Sequence, residues 1–126
     1  MVVAAVAMIV GGVIVVVVGR LAVHGRLRRN RWVGLRSSAT LADDRAWYVG
    51  NRVAAPWFLT AGAVLAGTGS LLLLARPDEE TALTVAGAGA VLSGALAIVG
   101  GILGHRTARA VLRAGTDASG EGPAGR

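Results

Sequence analysis

The sequence predicts an all-α integral membrane protein with three transmembrane helices and an amphipathic cytoplasmic helix between the first and second spans. Three observations carry that prediction. The 126-residue chain is 54% hydrophobic and has a positive mean hydropathy, too apolar for an ordinary soluble domain of this size. Three runs lack any charged residue: Val2 to Gly19, Val53 to Ala75 and Thr81 to Gly104, of 18, 23 and 24 residues. Arginines crowd between the first two runs and after the third, while the connection between the second and third is mostly acidic.

A helix needs about 20 apolar residues to cross a hydrocarbon core of roughly 30 Å, so the second and third runs suffice as they stand. The first reaches that length by continuing through Leu21, Ala22 and Val23, with Arg20 turned toward the headgroups. It lacks the charged leading segment and the small-x-small cleavage site of a secretory signal peptide. The spans are expected at about 2–23, 53–75 and 81–104, joined by a cytoplasmic loop over 24–52, in one domain over 1–115. From Thr116 onward "TDASGEGPAGR" is small, polar and rich in Gly and Pro, and is expected to be disordered over 116–126.

Arg20, Arg26, Arg28, Arg29, Arg31, Arg36, Arg45 and Arg52 fall in or beside the first loop, and Arg106, Arg109, Arg113 and Arg126 follow the third run. The second loop offers Arg76 beside Asp78, Glu79 and Glu80. Because basic residues in short loops are retained on the cytoplasmic side, the first loop and C-terminus are expected inside and the N-terminus and Pro77 hairpin outside, in a bacterial plasma membrane. Pro77 ends the second helix, and the three acids favour the start of the third through the helix dipole. The segment after Gly104 can prolong the third helix along the membrane surface.

The first loop has more order in its sequence than a connector needs. Gly34 and the Ser37–Ser38 pair mark a turn, and Thr40 followed by Asp43 has the spacing of a capping box, which predicts a helix from Leu41. On that helix Trp47, Asn51 and Ala54 share one face, and Tyr48 and Arg52 another, so it is expected to lie in the membrane interface with Trp47 packed there. Pro56 is expected to kink or restart the helix.

Little in the chain points to catalysis. There is no cysteine. Asp43 and Asp44 are adjacent and diverge on a helix, so they read as first-turn acids that counter nearby arginines. His24 and His105 read as juxtamembrane surface histidines. The polar groups within the runs, Thr60, Thr68, Ser70, Thr84 and Ser93, can bond to their own helix backbone. With no ionisable residue at mid-membrane, a proton-coupled carrier is disfavoured. No catalytic, metal or cofactor site and no nucleic-acid partner is expected. Small residues four apart recur at Ala63/Gly67, Ala90/Gly94, Ala97/Gly101 and Gly100/Gly104, the last being the strongest candidate for close helix packing. All 13 basic residues are arginine, which with abundant Gly, Ala and Val looks like the codon bias of a GC-rich, actinobacterial-type genome.

Between Asn30 and Arg52 the chain resembles the SdpI family of small bacterial multipass membrane proteins. The resemblance rests on Asn30, Trp32, Val33, Gly34, Leu35 and Arg36, then Thr40, Trp47 and the Asn51–Arg52 pair leading into a span. Ser37 stands where the family usually has Thr, and Asp43 lies near its usual Ser. The resemblance implies a non-enzymatic membrane protein, active in immunity to a membrane-active peptide or in membrane signalling, whose loop residues Asn30, Trp32, Gly34, Arg36, Thr40, Asp43, Trp47, Asn51 and Arg52 engage something at the cytoplasmic face. Expected partners are anionic lipid headgroups at the arginine-rich loop and another membrane protein or a second copy. A holin-like pore former and an accessory subunit of a larger membrane complex are the alternatives.

Overall fold

Helices form over the three uncharged runs, because in hydrocarbon each backbone N–H and C=O must find its partner within the segment. The computed structural model describes residues 1–30 and 32–120. They form α1 (Val2–Val23), α2 (Asp44–Ala75) and α3 (Glu79–Gly120), each long and apolar enough to cross a membrane. At 1.5 Å per residue the 32 residues of α2 and 42 of α3 extend about 48 and 63 Å. Both therefore outrun the bilayer core.

The surplus of α2 lies at its start. The expected separate interfacial helix is not present among the described residues: from Asp44 on, the residues assigned to it are the first turns of α2, which runs unbroken past Pro56. Asp43, not Thr40, is the N-cap, extended at φ −150° and ψ 168°, with its carboxylate accepting the Ala46 N–H at 2.7 Å. Nor does α3 stop where a disordered tail is expected, since Thr116 to Gly120 remain helical; the remainder of that tail, 121–126, lies outside the described residues. The extension of α3 does not leave the bundle for the membrane surface. Ala108 is fully buried in a cluster with Ala39 and Ala46, and Leu112 packs against it.

The ends of the helices follow from local chemistry. Gly25, at φ +66°, lets α1 close in a Schellman turn, in which the Arg26 N–H bonds Leu21 O at 2.8 Å and the Gly25 N–H bonds Ala22 O at 3.2 Å. Arg76 closes α2 in the left-handed conformation, and Pro77 follows where the helix cannot continue. Asp78 then caps α3 by accepting the Thr81 N–H at 3.0 Å and the Thr81 hydroxyl at 2.8 Å.

The middle helix, α2, packs against both others. Against α1 the contact is backbone on backbone: a Cβ placed on Gly62 would lie 2.7 Å from Gly12 O, and one on Gly69 2.5 Å from Ala5 O. Near the hairpin Ala5, Leu72 and Ala82 bring all three helices into one cluster. Among the polar groups of the spans, Thr60, Thr68, Ser70 and Thr84 bond within their own helices. Ser93 does not: its hydroxyl donates across to Ala61 O of α2 at 2.9 Å, a bond that ties α3 to α2 in the apolar layer.

Candidate functional site: the loop inserted at the basic end of the bundle

The segment between α1 and α2 folds back onto the helices. Leu35 lies against α3, where a Cβ on Gly104 would meet its Cδ2 at 2.5 Å and one on Gly101 its Cδ1 at 3.6 Å. Gly34 fits among Leu27, Trp47 and Asn51 at φ +99°, a conformation that side chains rarely adopt, and a Cβ there would come within 2.8 Å of Asn51 Oδ1. Trp32, Val33 and Gly34 border a groove whose other walls are Ile14, Val15 and Val18 of α1, Phe58 of α2 and Ala97 of α3. Ile14 is nine residues, about 13 Å, from the last residue of α1. The loop thus reaches alongside the apolar part of the bundle.

Irregular backbone at that level is tolerated only when its polar groups are satisfied by protein. The signature residues meet that need. Asn30 Oδ1 accepts the N–H groups of Trp32 at 2.8 Å and Val33 at 2.7 Å. Asn51, 2% exposed, accepts the Leu35 N–H at 2.7 Å. Its amide nitrogen donates to Trp47 O at 3.0 Å and to Leu35 O at 3.3 Å, so one side chain serves both polar groups of Leu35. Thr40, fully buried, donates its hydroxyl to Leu35 O at 2.8 Å and accepts the Ser37 N–H at 2.8 Å. This is why Thr40 does not cap the helix ahead of it: its oxygen faces back into the loop.

Trp47 corrects the expectation of an interfacial anchor. It has no exposed surface, packs with Ala22, Leu27 and Ala55, and donates its indole N–H to Leu27 O at 2.9 Å. A buried indole that finds a carbonyl combines a large apolar contact with a satisfied donor. The face shared by Trp47, Asn51 and Ala54 is thus covered by the protein itself, while Tyr48 and Arg52 are exposed and border a shallow cavity with Gly25 and Val49.

The remaining expected residues spread around this centre. Trp32 is 86% exposed beside the groove, and Arg36 is on the exposed rim. Asp44 pairs with Arg29 at 3.2 Å, both ends in solvent, a contact of at most about 1 kcal/mol. Gly100 and Gly104 are buried against α2: a Cβ on Gly100 would meet Trp57 Cβ at 2.5 Å, and one on Gly104 would meet Gly50 O at 2.5 Å. Gly67 and Gly94, by contrast, have open space where a Cβ would go, so the Ala63/Gly67 and Ala90/Gly94 spacings are not packed among the described residues. His24 Nδ1 lies 2.8 Å from Arg20 O, while the buried Nδ1 of His105 has no partner. No group of three or more His, Cys, Asp or Glu side chains converges among the described residues.

Sequence reasoning missed Leu27, whose carbonyl receives Trp47, and Gly50, the counterpart of Gly104; Leu35 stood in the signature, but not as the residue on which Asn51 and Thr40 converge. The hydrogen bonds at Leu27 and Leu35 are made by backbone atoms and leave no mark in residue type. Gly50 is one of 19 glycines, and only its partner identifies it.

The site spans the stretch that carried the resemblance, and the family model of the SdpI/YfhL protein family matches residues 26–105, from the loop through α2 to the loop-side part of α3. The chain belongs to the SdpI/YfhL family. It is accordingly a membrane protein, with three helices of spanning length. No curated protein and no solved structure matches it. The family match ends at His105, one residue beyond Gly104, so it takes in the loop, the buried face of α2 and the α3 glycines that meet them.

Proposed function

We propose that this SdpI-family protein is a non-enzymatic component of the bacterial plasma membrane that acts by protein and lipid contacts through its inserted loop, conferring immunity to a membrane-active peptide or relaying a membrane signal. The N-terminus is outside and the C-terminus cytoplasmic, since both arginine-rich segments then share the cytoplasmic side. The observation that carries this reading is the satisfaction of the loop backbone by Asn30, Thr40 and Asn51 around buried Trp47. An orientation signal requires only charge. A surface held in one conformation is what selective contact requires, because little ordering entropy remains to be lost on binding.

Inducible expression in cells challenged with membrane-active killing peptides tests the function. Raised tolerance, lost in Asn51→Leu at equal protein level, supports immunity. Depolarisation or lysis on expression alone favours a holin-like pore, and recovery of a stoichiometric membrane partner without either effect favours an accessory subunit. The orientation is tested by a reporter fused after Arg126, expected to be cytoplasmic, and one inserted beside Asp78, expected to be external.

A further inference from the structure

The loop leaves one lateral opening. The groove of about 310 Å³ is walled by Ile14, Val15, Val18, Phe58, Ala97 and the Trp32–Gly34 segment, with no charged side chain among the described residues that line it. Trp32 at 86% and Ile14 at 56% exposure stand at its border. In a bilayer the medium that meets such an opening is hydrocarbon, and an unfilled trough would forfeit the dispersion contacts of its walls. The charge lies at one end. Val18 is five residues and Ile14 nine from the last residue of α1, so these walls lie about 7 to 13 Å below that end. Exposed Arg26 and Arg28 follow the last residue of α1 by three and five positions. Asp44 is paired with Arg29 and not with these two.

We propose that the groove holds one acyl chain of an anionic phospholipid from the leaflet that the loop faces, with its phosphate among the arginines above. An amphiphile with a charged head and an apolar chain matches the order of the site along the membrane normal, and arginine suits phosphate through its planar, multiply donating guanidinium. Each basic residue near an anionic leaflet adds about 1 kcal/mol of attraction, and the groove converts that general attraction into a defined position. The proposal names the lipid side of the loop contacts in the proposed function, and rests on that reading only for the loop being a contact surface.

Trp32 is a reporter at the groove. Full-length protein reconstituted in phosphatidylcholine vesicles is compared after doping with phosphatidylglycerol brominated on its acyl chains, or with the same fraction of equally brominated phosphatidylcholine. Bromine quenches tryptophan fluorescence at contact. Brominated phosphatidylglycerol is expected to quench the wild type more than brominated phosphatidylcholine does. That excess should vanish in Ala97→Phe, which fills the trough, and should shrink in Trp32→Phe, which leaves buried Trp47 and half-buried Trp57 to report, and in the double variant Arg26→Gln/Arg28→Gln. Unchanged thermal stability of Ala97→Phe shows that filling, not unfolding, removed the excess. Equal quenching by the two lipids, protection from both by a second copy of the chain, or an excess undiminished in a stable Ala97→Phe each overturns the proposal. Peptide tolerance retained in Ala97→Phe, with the excess lost, would separate lipid binding from the proposed immunity.

Discussion

The two ends of α2 are held by different physics. Toward the hairpin, Gly62 and Gly69 admit the α1 backbone at Gly12 and Ala5, and cohesion comes from contact between bare helices. Toward the loop, Trp47 and Asn51 project from the same helix into irregular chain and are bonded to it. Lipid tails are as apolar as leucine, so within the spans helices gain little by hiding side chains and much by approaching closely. At the loop the requirement is satisfaction of backbone groups removed from water, and polar side chains of fixed reach supply it. Small residues alone therefore hold the hairpin end, whereas at the loop end an Asn, a Thr and an indole act beside the Gly50–Gly104 approach.

The largest expected loss comes from the loop end. Trp47→Ala removes a fully buried indole and should cost about 3–5 kcal/mol, read as lowered thermal stability in detergent and rapid trypsin cleavage between Asn30 and Arg52 in inverted vesicles. A wild-type loop cut as fast as the variant's would show that Trp47 does not hold the loop in a fixed conformation.

Next in size is close packing at the junction of the two regimes. Gly104→Leu places a side chain where even a Cβ would lie 2.5 Å from Gly50 O, and overpacking of this kind costs about 3 kcal/mol. Gly94→Leu, with nothing near its Cβ, should leave stability in detergent unchanged. Equal effects of the two would mean that the glycines do not distinguish packed from open faces.

Asn51→Leu keeps the branched shape and leaves the Leu35 N–H unpaired, at about 2 kcal/mol, and Thr40→Val should cost about 1 kcal/mol. Both should accelerate loop cleavage more than they lower global stability, whereas Gly62→Leu, at the contact with α1 away from the loop, should do the reverse. A matching pattern for all three would remove the distinction between the two ends.

The smallest effect is at the hairpin. The Thr81 N–H, and then the Thr81 hydroxyl, hold the Asp78 carboxyl below its ordinary value of 3.8. A folded-state pKa that is depressed gives stability fully present above the unfolded value and lost as pH falls through the folded one. Acidification below about pH 3.8 should therefore loosen the start of α3 in the wild type, and Asp78→Asn should flatten that dependence, measured by hydrogen exchange at Glu80 to Ala82.

Much of the architecture is legible in residue order alone. The uncharged runs locate three helices because apolar length is what a bilayer demands, and Pro77 marks the end of α2 because its ring cannot continue a helix. The site is legible as a set of residues but not as an arrangement. Thr40 and Asp43 have the spacing of a capping box, yet the same spacing allows Asp43 to cap while Thr40 turns back to Leu35. The amphipathic pattern of Trp47, Asn51 and Ala54 points to the membrane interface only if nothing else covers it, because periodicity gives a face and not its neighbour.

The sequence by itself determined which segments are helical and spanning, where charge collects, and which family the loop resembles, since each depends on composition or short-range spacing. Tertiary structure decided that the loop packs back beside the spans, that Trp47 is enclosed, that Ser93 bonds to a neighbouring helix, and that Gly100 and Gly104 are packed while Gly67 and Gly94 are open. Those outcomes turn on backbone carbonyls and interhelical distances, which carry no residue-type signal: the partner of the Trp47 indole is the carbonyl of Leu27, twenty positions away, and any residue in its place would present the same oxygen.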